Sequence, residues 1–163
     1  MWWRLSHSEF MRNRGEANKA AFKQIVDSGK IPGILAYLKS QPVGWCAVAP
    51  RETFPKLERS RILKRVDALP VWSVVCFFIA KSLRRQGISV KLLKAAVDYA
   101  RKQGAKIVEG YPVEPKKARI SDAFAYTGLA SVFRKVEFVE VVRRSETRPL
   151  MRYRIGTHAD RPQ

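Results

Sequence analysis

The run Val71 to Gly104 constrains this chain more than any other. It opens with "VWSVVCFFIA", a near-continuous apolar stretch rich in β-branched and aromatic residues. Such a stretch suits a central strand buried on both faces. The basic turn "KSLRRQGI" follows. From Ser89 to Gln103 the residues Leu93, Ala96, Val97 and Ala100 recur at helical spacing. Lys91, Lys94, Asp98, Arg101 and Lys102 fall mostly away from them. This is an amphipathic helix, and Gly104 closes it. "AKIVEGYPV" then reads as a second strand. A strand–helix–strand unit of this length predicts a right-handed parallel crossover.

The flanks add elements of other kinds. "WWRLS" reads as a short edge strand. "GEANKAAFKQIVDSG" reads as a helix with Ala17, Ala20, Ala21 and Ile25 on one face and Gly29 as its cap. "GILAYL" and "VGWCAVA", separated by "KSQP", read as a hairpin. The basic segment Pro50 to Pro70 reads as a mobile loop with one short helix. "EPKKARISD" is a polar loop, and Ser121 or Asp122 caps a helix expected from about Ala123 to Lys135. "EFVEVVRR" and "PLMRYRI" close the chain as a second hairpin, and residues 156–163 read as a frayed tail. With no repeat and no linker, residues 1–163 are expected to form one domain.

Composition narrows the classes of function. The 163 residues carry 32 lysines and arginines against 14 aspartates and glutamates, a net charge of +18. Such a field attracts polyanions, so weak, nonspecific contact with nucleic acid is expected. The longest apolar run is too short to span a bilayer, and no membrane association is expected. The two cysteines, Cys46 and Cys76, sit in apolar runs without a visible disulfide framework. With no export signal, a cytoplasmic location is expected. Two histidines, neither near a cysteine, argue against a bound metal.

A strand-to-helix junction is a natural anion site. The first helical turn offers unpaired N–H groups and a partial positive charge. Gly87 lets a phosphate approach the backbone, Ser89 adds a hydroxyl, and Arg84 and Arg85 add charge. By its residues alone this is also compatible with a basic turn whose glycine is there for steric reasons. It is neither a Walker loop nor a dinucleotide fingerprint.

In context, Arg84-Arg85-Gln86-Gly87-Ile88-Ser89 resembles the acetyl-CoA-binding motif of the GNAT acyltransferase superfamily, which reads Arg/Gln-x-x-Gly-x-Gly/Ala. Ser89 departs mildly from it. The order of elements resembles that family over nearly the whole chain. "SVFRKVEFVEV" resembles its helix-then-strand ending, with Glu137-Phe138 where the family has Gly-Phe. The resemblance implies an α/β (α+β) fold. Its central sheet is mixed and mostly antiparallel, with a splayed parallel strand pair and helices on both faces. It also implies acetyl-CoA as co-substrate. The main chain of Phe77, Phe78 and Ile79 would bind the pantetheine arm. The amides of Arg85, Gln86, Gly87, Ile88 and Ser89 would bind the pyrophosphate, with Arg84 nearby.

Acetyl transfer to a primary amine, by direct attack in a ternary complex, needs a route for the amine's proton, a donor to the oxyanion and protonation of the departing thiolate. A strand N–H near Phe78 is the expected oxyanion donor. Glu109 is the first candidate base, ahead of Glu114 and Asp122, although a strand glutamate paired to one of the many arginines fits it equally. Together these acids would make a negative pocket for a cationic amine. The family's tyrosine falls on Phe133, which has no proton to donate. Tyr126, taken to lie two turns away on the same helical face, is the expected acid, with Tyr111 or water behind it, although ordinary packing also fits Tyr126. A catalytically silent acyl-CoA sensor and a basic nucleic-acid or ribosome-associated binder on the same fold are the alternative functions. The acceptor is unspecified, and either a monomer or a homodimer is compatible.

Overall fold

A computed structural model describes residues 1–116, 121 and 124–156. Helices α1 (His7–Arg12) and α2 (Glu16–Asp27) lead into strands β1 (Gly33–Leu38) and β2 (Gln41–Pro50). A long segment carrying the short helix α3 (Pro55–Glu58) connects to β3 (Trp72–Ile79). Helix α4 (Ile88–Lys102), β4 (Ile107–Gly110), α5 (Ala130–Arg134), β5 (Val139–Arg143) and β6 (Pro149–Arg154) complete the order. The six strands form one sheet ordered β1-β2-β3-β4-β6-β5, antiparallel throughout except for β3 against β4. The mixed, mostly antiparallel α/β architecture is therefore as expected.

The parallel pair is short. Trp72, Ser73 and Val74 pair with Val108, Glu109 and Gly110, and the pairing ends there. Beyond it Pro112 interrupts the second strand, so β4 is half as long as its apolar sequence suggests. Val113 instead makes an isolated bridge to Leu129. The strands are splayed from Val75 and Tyr111 onward.

A bulge governs which side chains enter the splay. Opposite β2, Ala47 pairs with Cys76 and Val48 with Val74, leaving Val75 without a partner. Two successive side chains, Val75 and Cys76, thus turn to the same face. Phe77 is shifted to the other face, where α4 and α5 pack through Leu92, Leu93, Ala96, Val97, Ala100 and Phe133. Without the bulge, simple alternation would exchange the places of Cys76 and Phe77.

The opposite face is covered by the N-terminal segment and by residues 51–69. Phe54, Leu57 and Leu63 bury themselves there with Val75, Tyr111 and Leu150. The segment expected to be mobile is strapped down instead. Arg144 donates to the carbonyls of Lys64 (2.7 Å) and Arg65 (3.1 Å). Arg152 holds Asp67, and Arg51 donates to the Leu63 carbonyl at 2.9 Å. "WWRLS" forms turns rather than a strand. The expected apolar face of α2 is also displaced, because Ala17 and Ala20 are exposed. Asn18 is the buried residue, and its amide donates to the Phe10 carbonyl at 3.0 Å. No helix among the described residues is long and apolar enough to cross a membrane.

Two Schellman motifs close α4 and α5. At the first, Gly104 (φ +83°) allows Ala105 N–H to reach the Ala100 carbonyl at 3.0 Å. At the second, Phe138 N–H reaches the Phe133 carbonyl at 3.1 Å, but the left-handed residue is Glu137, at φ +63°. A left-handed non-glycine residue costs roughly 1–2 kcal/mol. Glu137→Gly relieves that strain and loses part of the gain to the freer unfolded chain. It is expected to raise stability by about 0.5–1 kcal/mol, read from the denaturant midpoint at constant m-value.

Candidate functional site

The splay leaves one edge of β3, from Val75 to Ile79, without a partner strand among the described residues. Along it Phe77 is buried and meets Phe133 edge-on, with ring centroids 6.1 Å apart. Phe78 is 59% exposed. The Ile79 carbonyl accepts a hydrogen bond from Arg84 Nε at 3.0 Å, so Arg84 ties the turn to the strand end.

The turn then runs into α4 through two left-handed residues, Arg85 (φ +64°) and Gly87 (φ +78°, the N-cap). Arg85, Gln86 and Gly87 are exposed, whereas Ile88 and Ser89 are half-buried. Gln86 donates to the Ser82 carbonyl at 3.3 Å. Among the described residues, no backbone carbonyl accepts from the N–H groups of residues 85–89. A Cβ added at Gly87 would meet nothing within 4 Å, so the space above this residue is open. A 3₁₀ turn, Lys81–Leu83, links the strand edge to these unpaired amides, and the N–H groups of Ala80, Leu83 and Arg84 along it are bonded within the fold.

Glu109 lies elsewhere than the mouth of the splay. It is 0% exposed, on the last paired stretch of β4. Arg51 Nη1 donates to its Oε1 at 2.7 Å, and Arg152 Nε to its Oε2 at 2.7 Å. Tyr111 also donates its hydroxyl proton to Oε1, at 2.6 Å. The same phenolic oxygen accepts from Arg51 at 2.6 Å and lies 2.8 Å from Ser73 Oγ. Because the tyrosine's single proton points to Glu109, the serine hydroxyl must donate to the tyrosine. Burial, and then the neighbouring Glu109 carboxylate, push the Tyr111 phenol well above its ordinary pKa. A carboxylate whose oxygens are filled by two guanidiniums and a phenol is a structural anion. The base expected at Glu109 is the arginine-paired strand residue that its sequence equally fitted.

The other expected acids fare similarly. Glu114 bridges Arg134 and Arg143, both at 2.5 Å, and these guanidiniums hold its carboxyl below the usual range. Asp122 lies outside the described residues. No negative pocket forms from Glu109 and Glu114.

Tyr126 is on a short 3₁₀ turn (Ala125–Thr127), not on the helix of Phe133. Gly128 (φ +87°) breaks the chain between them, and a Cβ there would lie 2.8 Å from the Phe133 ring. The turn packs against β3. The Tyr126 ring lies 6.4 Å from Trp3, and burial raises its phenol, partly offset by Arg148. Cys76, on the same face, has its thiol raised by burial. Arg148, on the β5–β6 turn, donates to Thr127 Oγ1 at 2.9 Å. Phe133 is fully buried between Phe77 and Phe138, with Gly110 against its ring. Among the described residues no cluster of His, Cys, Asp and Glu is placed to hold a metal.

The splayed pair, the bulged strand and the open helix N-terminus define an acyltransferase-type fold. Residues 1–119 match the acetyltransferase (GNAT) family, and the chain belongs to that family. No curated protein sequence matches it significantly. Solved structures share the fold at low identity. The yncA protein of Salmonella typhimurium, solved with its cofactor acetyl-CoA, is 14% identical with a TM-score of 0.54, over 89% of this chain and 76% of that one. A GNAT-family acetyltransferase from Streptococcus pneumoniae is 14% identical with a TM-score of 0.51, over 86% and 77%. The ribosomal-protein-alanine N-acetyltransferase of Brucella melitensis is 15% identical with a TM-score of 0.50, over 84% and 75%.

Removing the charge of Glu109 tests its role. Glu109→Gln removes the shared anion and leaves Arg51 with Glu58 and Arg152 with Asp67, a change worth roughly 3 kcal/mol, the low end for breaking a buried pair. Denaturant unfolding is expected to show a loss of that size. A variant of native stability that is slow only in transfer would return the base role to Glu109.

Proposed function

We propose that this protein transfers an acetyl group from acetyl-CoA to a primary amine. The observation that carries the proposal is the unpartnered β3 edge together with the unpaired amides of residues 85–89. The edge at Phe77, Phe78 and Ile79 suits the amide-bearing pantetheine arm. The left-handed turn at Arg85 and Gly87 directs successive N–H groups toward a pyrophosphate, beside the positive end of α4. The acetyl-CoA bound by the yncA neighbour supports the same choice of co-substrate.

The chemistry then asks little of side-chain acids and bases. The amine lone pair attacks the thioester carbonyl, a C–N bond forms, the C–S bond breaks and coenzyme A leaves as thiolate. A strand N–H at the splay, near Phe78, stabilises the oxyanion. A thiol of pKa about 8.5 is a good leaving group, so protonation of the thiolate gives only modest assistance. Tyr126 is the proposed donor, because Phe133 has no proton to give. The surplus proton of the amine passes to water. A catalytically silent acyl-CoA binder is the second reading, favoured by the engagement of Glu109 and the burial of Phe133.

Acetyl-CoA at one hundred times its Kd is expected to stabilise the protein by about 2.7 kcal/mol. Gly87→Glu abolishes that shift, because a carboxylate enters the phosphate site. Gly104→Glu is the control, since it bears the same left-handed strain in open space at the other end of α4. It retains the shift. Equal shifts in the two variants would remove the cradle from Gly87. Tyr126→Phe is expected to lower kcat severalfold with acetyl-CoA affinity unchanged, measured by thiol release against pH.

A further inference from the structure

Among the described residues, the face of the splay opposite α4 carries positive charge without compensating carboxylates. Cys76 and Trp3 pack on this face, Tyr126 lies beside Trp3, and Arg148 reaches Thr127 on the same turn. The N-terminal segment and α3 add two more cations. Arg4 Cζ sits 4.9 Å over the Phe54 ring. Lys56 Nζ sits 2.9 Å from the centroid of Trp2, buried and without a hydrogen-bond partner. Burial depresses the pKa of both groups. Among the described residues, none of Arg4, Lys56 and Arg148 has a carboxylate within 4 Å. Aromatic faces and one hydroxyl hold these cations in place but leave their charge unneutralised.

Among the described residues, the acids of the neighbourhood do not change this sign. Glu109 is filled by Arg51, Arg152 and Tyr111. Glu58 is held by Arg51 and Arg65, and Glu114 by Arg134 and Arg143. A polyamine or another polycationic acceptor would therefore meet like charge. Arg148 is the cation best placed for a ligand. It is half-buried on the β5–β6 turn, and one nitrogen is fixed by Thr127 while, among the described residues, the rest of its planar fork has no partner. A guanidinium held by one corner with a free edge is the group that binds a carboxylate through two parallel hydrogen bonds.

We propose that the acceptor is an amine that also carries a carboxylate, and that Arg148 anchors that carboxylate beside the splay. This inference rests on the acetyltransferase reading above and names the substrate class of the same site. The carboxylate pairs with Arg148, which orients the amine toward the thioester. The chemistry is shared by a free amino acid and by the amino end of a peptide that begins with an acidic residue.

The test uses the full chain, acetyl-CoA and matched acceptors, with thiol release as readout. Glycine and β-alanine are compared with glycinamide and β-alaninamide. A C-terminally amidated Asp-Phe dipeptide is compared with its Asn-Phe counterpart, and spermidine serves as the polycation. The carboxylate member of a pair is expected to have at least about a tenfold higher kcat/KM, an effect the size of one charge-assisted contact. A preference confined to the free amino acids or to the dipeptides identifies which source the site takes. Arg148→Gln removes the preference mainly through KM, Arg148→Lys restores part of it, and the melting shift with acetyl-CoA stays unchanged in both. Equal rates within every pair, a preference for spermidine, or an unaltered preference in Arg148→Gln would overturn the assignment. So would a panel in which no amine reacts although acetyl-CoA raises the melting temperature. Absence of any acetyl-CoA effect would overturn the acetyltransferase reading itself.

Discussion

The carboxylate of Glu109, clamped between Arg51 and Arg152, fixes the geometry on which the rest of the site depends. It stands on the last stretch of β4 still paired to β3. Its two oxygens accept hydrogen bonds from opposite sides of the fold. Arg51 comes from the end of β2 and Arg152 from β6. The same guanidiniums continue outward to Glu58, to the Leu63 carbonyl and to Asp67. One anion therefore binds the long 51–69 segment, the sheet centre and the C-terminal hairpin. A buried ion pair of this kind gives limited net stability against an apolar replacement, but it is strongly directional. Its proposed effect is register, because it holds the pairing up to Gly110 and lets the strands part immediately afterwards.

Parting the strands there has chemical consequences. The bulge at Val75 exchanges the faces of Cys76 and Phe77, so the α4 side of the opening is lined by aromatic core and the other side by a thiol, a phenol and cations. The free strand edge leads, through the 3₁₀ turn Lys81–Leu83, to the unpaired amides at the start of α4. Much of the chain's positive charge is also internal. Arg51, Arg144 and Arg152 bind carbonyls and carboxylates within the fold, and Arg143 bridges Glu114 and Glu140. These networks use at least as many carboxylates as guanidiniums, so they leave the surplus of +18 on the remaining residues.

The segment from Val71 to Gly104 was legible because its signals are local. The apolar run, the 3.6-residue period and the two glycines each act within a few residues, and β3, the turn and α4 follow from them. The left-handed backbone at Glu137 also connects to sequence, since it stands where the family resemblance has a glycine. The Glu109 network was not legible in the same way. Its partners lie 58 and 43 residues away, and any of many arginines would have satisfied the pattern. For the same reason the 51–69 segment reads as mobile, although arginines far along the chain strap it down. Tyr126 was assigned to the wrong kind of element because Gly128 interrupts an otherwise helix-compatible sequence. The bulge leaves no compositional trace in "SVVCFF". Trp2 and Trp3 suit a strand by propensity, but they pack as a turn over the second core.

With Glu109 closed, the question for acyl transfer is how an amine becomes neutral near the thioester. An isolated aliphatic ammonium, of pKa about 10.4, is about one part in a few thousand neutral at pH 7. A cationic surround disfavours the ammonium and lowers that pKa, which raises the neutral fraction without a dedicated base. The same surround would repel a purely cationic acceptor, so the device works best when the acceptor brings its own negative charge. Arg148 meeting a carboxylate would supply binding, while Arg4 and Lys56 would keep the local potential positive around the amine. Affinity for an anionic acceptor and activation of its amine thus require the same sign of field. On that proposal, the cations found among the described residues on this face of the splay would serve both ends.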